Sequence, residues 1–132
     1  MKVAIVGSRG LRIPIPADAI PKNTTQIVSG AANGIDRMAR AFALEHHIQI
    51  LEILPDYDRY GRRAPLMRNN SIIDYADYVI AIWDGRSPGT KYVIDRCRAL
   101  QKPRHGLCDR TLPQAEQALS RAARQPADGK KK

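Results

Sequence analysis

Gln26-Ile27-Val28 is a short apolar run that stops at Ser29-Gly30. Ala31-Ala32-Asn33-Gly34 follows, then apolar residues at Ile35, Met38, Ala39, Phe42 and Ala43, and then Ile48 to Leu54, closed by Pro55-Asp56. The middle set recurs at helical spacing, so it predicts a helix from about residue 33 to His46 between two strands. The same punctuation continues outward. Upstream, Lys2 to Val6 is a β-branched run ending in Gly7-Ser8-Arg9-Gly10, which reads as a buried strand and a tight loop. Downstream, Leu66, Ile73 and Ala76 fit one face of a second helix. Tyr78 to Trp83 is an almost wholly apolar strand ending at Asp84-Gly85. Val93, Ile94, Cys97 and Leu100 mark a third helix ending before Pro103, His105 to Cys108 a short edge strand, and Leu112, Ala115, Leu119, Ala122 and Ala123 a last helix. Between the first two strands, Pro14, Pro16 and Pro21 leave room in Leu11 to Asn23 for at most a turn or two of helix.

Strands that are apolar on both faces and alternate with helices predict a mostly parallel sheet covered on both sides. The expected architecture is an α/β, Rossmann-like three-layer sandwich in a single domain over residues 1–124. Residues 125–132 are expected to form a disordered basic tail, because Gln125-Pro126-Ala127-Asp128-Gly129 has nothing apolar enough to pack. At 132 residues the chain is long enough to bury a core without disulfides or metal. Its longest apolar run, Val79 to Trp83, is far short of the roughly 20 residues of a membrane helix, and no signal peptide is legible at Met1 to Gly7. We therefore expect a cytoplasmic protein with no membrane partner. Cys97 and Cys108 lack the CxxC spacing and read as reduced and structural. His46, His47 and His105 have no ligand-like spacing to them, so no metal and no cofactor is expected.

Lys and Arg number 22 against 13 Asp and Glu, for a net charge of +9, which invites polyanions. Three of those charges are Lys130, Lys131 and Lys132, without which the balance is +6. Aromatic residues are only 5%, too few for a broad platform stacking single-stranded bases.

In an open parallel sheet, ligands bind beyond the carboxyl ends of the strands, where loops converge near a topological switch point. Three glycine-containing loops fall there: Gly7-Ser8-Arg9-Gly10, Ser29 to Gly34, and Asp84-Gly85-Arg86-Ser87-Pro88-Gly89-Thr90. The second and third open helices, whose free N–H groups and positive dipole ends can cradle a phosphate. Neither matches GxGxxG or GxxxxGK[ST]. Glycine punctuates many strand-to-helix turns, but three such loops on one rim favour a binding site.

Gly7-Ser8-Arg9, the segment Ile27 to Asp36, the segment Leu54 to Asn69 and the segment Ala76 to Thr90 together resemble the SLOG superfamily. This Rossmann-like group includes the DNA-processing protein DprA, the Lonely Guy (LOG) phosphoribohydrolases and small proteins related to YspA and YpsA. The match covers roughly residues 2 to 108. The resemblance implies a nucleotide or nucleotide-derived ligand at the sheet's carboxyl edge and a homo-oligomer, often a homodimer. In LOG enzymes an Arg lies nine residues before the Asp of an Ala-Asp pair, and Arg68 keeps that register with Asp77. Their catalytic Glu lies three residues after the Thr of a Gly-Thr pair, where this chain has Val93. A valine can neither stabilise a developing oxocarbenium ion nor activate water. Binding without hydrolysis is therefore expected, with Arg68 and Asp84 the candidates should catalysis occur. Asp56 lies on the same rim.

The expected ligand set is Gly7, Ser8, Arg9, Ser29, Gly30, Ala31, Gly34, Asp36, Asp56, Tyr60, Arg68, Asn69, Asp84, Gly85, Ser87, Gly89 and Thr90. Arg9 and Arg68 are its anion partners, since a guanidinium fork suits phosphate oxygens. Each has a plainer reading. Arg9 suits a solvated loop, and Arg68 and Asn69 are expected on the polar face of their helix. Asp36, Ser29 and Thr90 suit helix N-termini. Tyr57 and Tyr60 could cover a base or the sheet edge, and Trp83 at a strand end suits a core. The basic run Arg59, Arg62, Arg63 and Arg68 suits anion attraction or simple solvation. Two other functions fit the same residues: an N-glycosidase acting on nucleoside monophosphates, and weak DprA-like binding of single-stranded DNA, whose SG-x-A-x-GID motif Ser29 to Asp36 resembles.

Overall fold

The computed structural model describes residues 1–108. The helix expected from Leu112 to Ala123 and the tail from Gln125 lie outside them. Five strands form one wholly parallel sheet: β1 (Lys2–Gly7), β2 (Gln26–Ser29), β3 (Gln49–Glu52), β4 (Tyr78–Trp83) and β5 (Arg104–Cys108). Their order is β3-β2-β1-β4-β5. The chain runs outward from β1 through β2 to β3, then crosses back to lay β4 on the other side of β1, in register from Val3↔Tyr78 to Gly7↔Ile82. That reversal makes the β1–β4 boundary the switch point, and the loops after these two strands diverge over the sheet's carboxyl edge.

Alternation along each strand builds the three layers. Val3 and Ile5 of β1, Ile27 of β2, and Ile80 and Ile82 of β4 meet helix α1 (Ile35–Glu45) through Ile35, Ala39, Phe42 and Ala43. Ala4, Val6, Val28, Val79 and Ala81 face the opposite layer, where Ile72 and Ile73 lie on one helix and Val93 and Cys97 on another. The expected Rossmann-like sandwich is therefore the observed one. The stretch from Leu11 to Asn23 holds a single 3-10 turn, Ala17–Ala19, and buries Ile15 and Ile20 against the α1 layer, doing the work of a crossover helix. No helix among the described residues is long and apolar enough to cross a membrane.

Several expectations are corrected. Strand β3 is shorter than Ile48 to Leu54 and only half-buried, because it is the sheet's edge. Its last residue, Glu52, is held by Arg40 of α1 through paired bonds of 2.9 Å (Nε to Oε2) and 2.5 Å (Nη2 to Oε1). The segment after β3, to which no helix was assigned, forms a short helix α2 (Tyr57–Tyr60), with the Asp56 carboxylate accepting from Arg59 N–H at 3.1 Å, and a 3-10 turn at Gly61–Arg63. Helix α3 (Ala64–Tyr75) buries Ala64, Arg68, Ile72 and Ile73, while Leu66 stays half-buried. Arg68 was expected on the polar face, yet it shares the four-residue spacing of Ala64 and Ile72 and so points inward. Helix α4 (Pro88–Ala99) buries Thr90, Val93 and Cys97 and leaves Leu100, just beyond its end, 48% exposed.

Candidate functional site

A cleft of about 420 Å³ opens at the carboxyl edge between the loops that follow β1 and β4. Ser8 holds these loops together from a position 1% exposed. Its N–H donates to Ile82 C=O at 3.0 Å, extending β1 alongside β4, and its Oγ accepts from Asp84 N–H at 2.9 Å and meets Ser87 Oγ at 2.7 Å. Asp84 shapes the rest of the β4 loop by accepting the N–H groups of Ser87 at 2.7 Å and Arg86 at 2.8 Å. These two donors hold the Asp84 carboxyl below the usual carboxylate range. It is a fixed anion, unsuited to donating a proton.

The loop delivers α4 to the cleft with its first turn uncapped. Ser87 occupies the N-cap position with extended backbone, but its hydroxyl is turned to Ser8 and makes no capping bond. Pro88 has no N–H to offer. Among the described residues the Gly89 and Thr90 N–H groups find no acceptor, whereas Lys91 N–H reaches Ser87 C=O at 3.3 Å. Two backbone donors and the positive end of the helix thus border the cleft, and, apart from Gly89's chain neighbours and its own helix backbone, no atom lies within 4 Å of where a Gly89 side chain would begin. An anion can approach them directly.

The other wall is a buried charge cluster. Arg68, only 9% exposed, donates from Nη1 to Gly30 C=O at 2.5 Å and from Nε to Asn69 Oδ1 at 2.9 Å, with Ile53 C=O at 3.4 Å. Asp36, 6% exposed in the first turn of α1, accepts Ala32 N–H at 3.1 Å through Oδ2. Gly30 lies between them, since a Cβ there would sit 2.6 Å from Arg68 Nη1 and 2.9 Å from Asp36 Oδ2. Burial pushes the Asp36 carboxyl above its ordinary value, against the pull of the Ala32 and Gly30 amides and of Arg68 and Arg9. Burial likewise lowers the Arg68 pKa, while Asp36 opposes that shift. The turn carrying Gly30 is strained at Ala31, whose φ of 62° is left-handed.

Of the expected ligand set, the cleft is lined by Gly7, Ser8, Arg9, Asp36, Arg68, Asn69, Asp84, Ser87, Gly89 and Thr90. Ser29, Gly30, Ala31, Gly34, Asp56, Tyr60 and Gly85 are not on its wall. Ser29 is fully buried with its hydroxyl unpartnered, and Asp56 caps α2. Gly34 starts α1 at φ 74°, where any side chain would collide with the carbonyls of Ser8 and Arg9, so its role is in the backbone. The expected ligand set left out Gly10, Ala32 and Pro88, which belong to the three loops of the rim, and sequence reasoning missed Val6 and Pro65 as lining residues. Val93, noted as part of an apolar helix face and for the carboxylate it lacks, also lines the cleft and is 1% exposed. Trp83 is half-buried and donates from Nε1 to Ser87 C=O at 2.9 Å, bracing the β4 loop.

Among the described residues no group of three or more His, Cys, Asp or Glu side chains is placed to hold a metal ion. No family model matches the chain, and no curated protein or solved structure matches it either. The arrangement gathers free backbone donors, two guanidinium groups and a buried carboxylate around a small cleft.

Proposed function

We propose that the chain is a SLOG-type protein that binds a nucleotide or nucleotide-derived small ligand in this cleft, without hydrolysing it, and acts in the cytoplasm as a homo-oligomer. The observation that carries the reading is the open first turn of α4, where the Gly89 and Thr90 N–H groups lack acceptors at the switch point of a parallel sheet. Arg9 lines the same cleft and supplies a guanidinium for phosphate oxygens. Val93 at the position of the LOG glutamate, on the cleft wall, argues for binding over hydrolysis. A thermal-shift screen of mononucleotides, dinucleotides and ADP-ribose derivatives tests it. At least one ligand should raise Tm, and Gly89→Val should abolish that shift while the fold persists. No stabilisation at millimolar concentrations would overturn the reading.

A second reading, weak binding of single-stranded nucleic acid, draws support from a different surface. Arg59, Arg62 and Arg63 are exposed beside Tyr57 and Tyr60, which are 57% and 36% exposed. Basic and aromatic side chains interleaved in this way suit a phosphate backbone and stacked bases.

A further inference from the structure

Helix α4 begins with the residues of a capped start and lacks the cap. Ser87 stands at the N-cap position with extended backbone, and Pro88 follows it at the first helical position. A serine there ordinarily turns its hydroxyl to the second or third N–H of the helix, here those of Gly89 and Thr90. Ser87 instead turns it to the Ser8 hydroxyl, 2.7 Å away on the loop after β1.

Both serines are pinned through their backbones. Ser8 donates its N–H to Ile82 C=O at 3.0 Å, and its own C=O accepts from Leu11 at 3.2 Å and Ile35 at 3.3 Å. Ser87 donates its N–H to Asp84 Oδ1 at 2.7 Å, and its C=O accepts Trp83 Nε1 at 2.9 Å and Lys91 N–H at 3.3 Å. With the backbone fixed on both sides, only a rotation about the Cα–Cβ bond of Ser87 separates the observed state from a capped helix. Asp84 belongs to the same cluster, and both hydroxyls help to hold its charge.

We propose that Ser8 is a positioning residue for the ligand anion: by holding the Ser87 hydroxyl away from α4 it keeps the Gly89 and Thr90 N–H groups free, and the anion takes the place of the missing cap. This rests on the nucleotide-binding reading above and adds what keeps its two donors available. A Ser87 hydroxyl released from Ser8 competes with the anion for the same amides.

Amide NMR of the isotope-labelled full chain, with inorganic phosphate and AMP as probes, tests this. In the ligand-free wild type, Thr90 N–H should exchange with solvent faster than Lys91 N–H, which Ser87 C=O holds. A Thr90 amide as protected as that of Lys91 would mean that Ser87 caps α4 despite Ser8, and would overturn the proposal without any variant. In Ser8→Ala the released hydroxyl should slow Thr90 exchange by about threefold or more, as a serine cap does, and weaken both probes by a similar factor. Ser8→Ala/Ser87→Ala should return exchange and affinity to within about twofold of wild type. A hydroxyl that only braced the loops could not be rescued by the loss of a second one. Unchanged Thr90 exchange in Ser8→Ala would overturn the role of Ser8, since Asp84 alone would then hold Ser87. Affinity that stays low in the double variant would overturn it too. If neither probe binds the wild type, the nucleotide-binding reading falls and the anion's part falls with it, while Thr90 exchange still decides whether Ser8 controls the cap.

Discussion

Arg68 of α3 and Asp36 of α1 come from opposite sides of the sheet and meet at the α-carbon of Gly30, where a single added methyl would lie 2.6 Å from the guanidinium and 2.9 Å from the carboxylate. The glycine is therefore required by close approach. Gly30→Ala should force Arg68 or Asp36 aside and cost about 1–3 kcal/mol, as overpacking typically does. Gly89→Val, in open space on the cleft rim, should change stability by less than about 1 kcal/mol. Urea unfolding of both variants checks the contrast, and equal losses would contradict it.

Arg68 is braced by two carbonyls and Asn69 and balanced by Asp36, so removing it leaves buried partners unsatisfied. Arg68→Ala should cost about 3–5 kcal/mol. Removing Asp36 as well should cost less than the two single losses together, because the carboxylate left without its cation is gone. Strict additivity in a double-mutant cycle would show that the two do not interact.

The Asp36 carboxyl titrates above its ordinary value of 3.8, so the folded protein holds this proton more tightly than the unfolded chain. Its contribution to stability is full below that ordinary value and is lost as pH rises through the folded pKa. Asp36→Asn has no such proton. The stability of Asp36→Asn relative to wild type should therefore increase from about pH 4 to pH 7, measured by denaturant unfolding at each pH. A flat or falling difference would contradict the shift. Asp84 runs the other way: it is held low, and its contribution is lost only as pH falls below the usual carboxylate range.

Incubation with AMP and other nucleoside monophosphates should release no free base above a no-protein control, because Val93 on the cleft wall carries no carboxylate. Asp84, committed to two backbone amides, should not replace it. Base release abolished by Arg68→Ala in a protein shown to stay folded would establish a hydrolase instead.

Binding of single-stranded DNA, if driven by surface charge, should fall by orders of magnitude between about 50 and 200 mM salt for 6 to 10 phosphate contacts. Deleting Gln125 to Lys132 removes three lysines and one aspartate and should take much of that affinity away. Submicromolar binding by the shortened chain at 150 mM salt would place DNA on Arg59, Arg62 and Arg63 and favour the second reading.

Features that depend on near neighbours could be read directly. Tyr78 to Trp83 is apolar throughout and flanked by polar residues, so β4 has the bounds its sequence predicts. The three glycine-containing loops were legible for the same reason, since an apolar run that stops at glycine and polar residues announces its turn locally. The α-helical periods of α1 and α4 place most of their buried faces correctly.

What the sequence by itself determined is thus the class of fold, a parallel sheet with helices on both faces, and the rim on which the glycine-containing loops gather. Only the tertiary structure decided that β4 returns beside β1, and so that Ser8 and Ser87, 79 residues apart, bond at 2.7 Å. It also decided that Arg68 is buried. The spacing of Ala64, Arg68 and Ile72 was visible, but an arginine on an apolar stripe reads as solvated until a partner is known, and its partners are the carbonyl of Gly30 and the charge of Asp36. The physical reason is the same in both cases. Hydrophobic periodicity is a local property of the chain, whereas strand order and the pairing of buried charges depend on residues brought together from far apart, whose energies exist only once the sheet has formed.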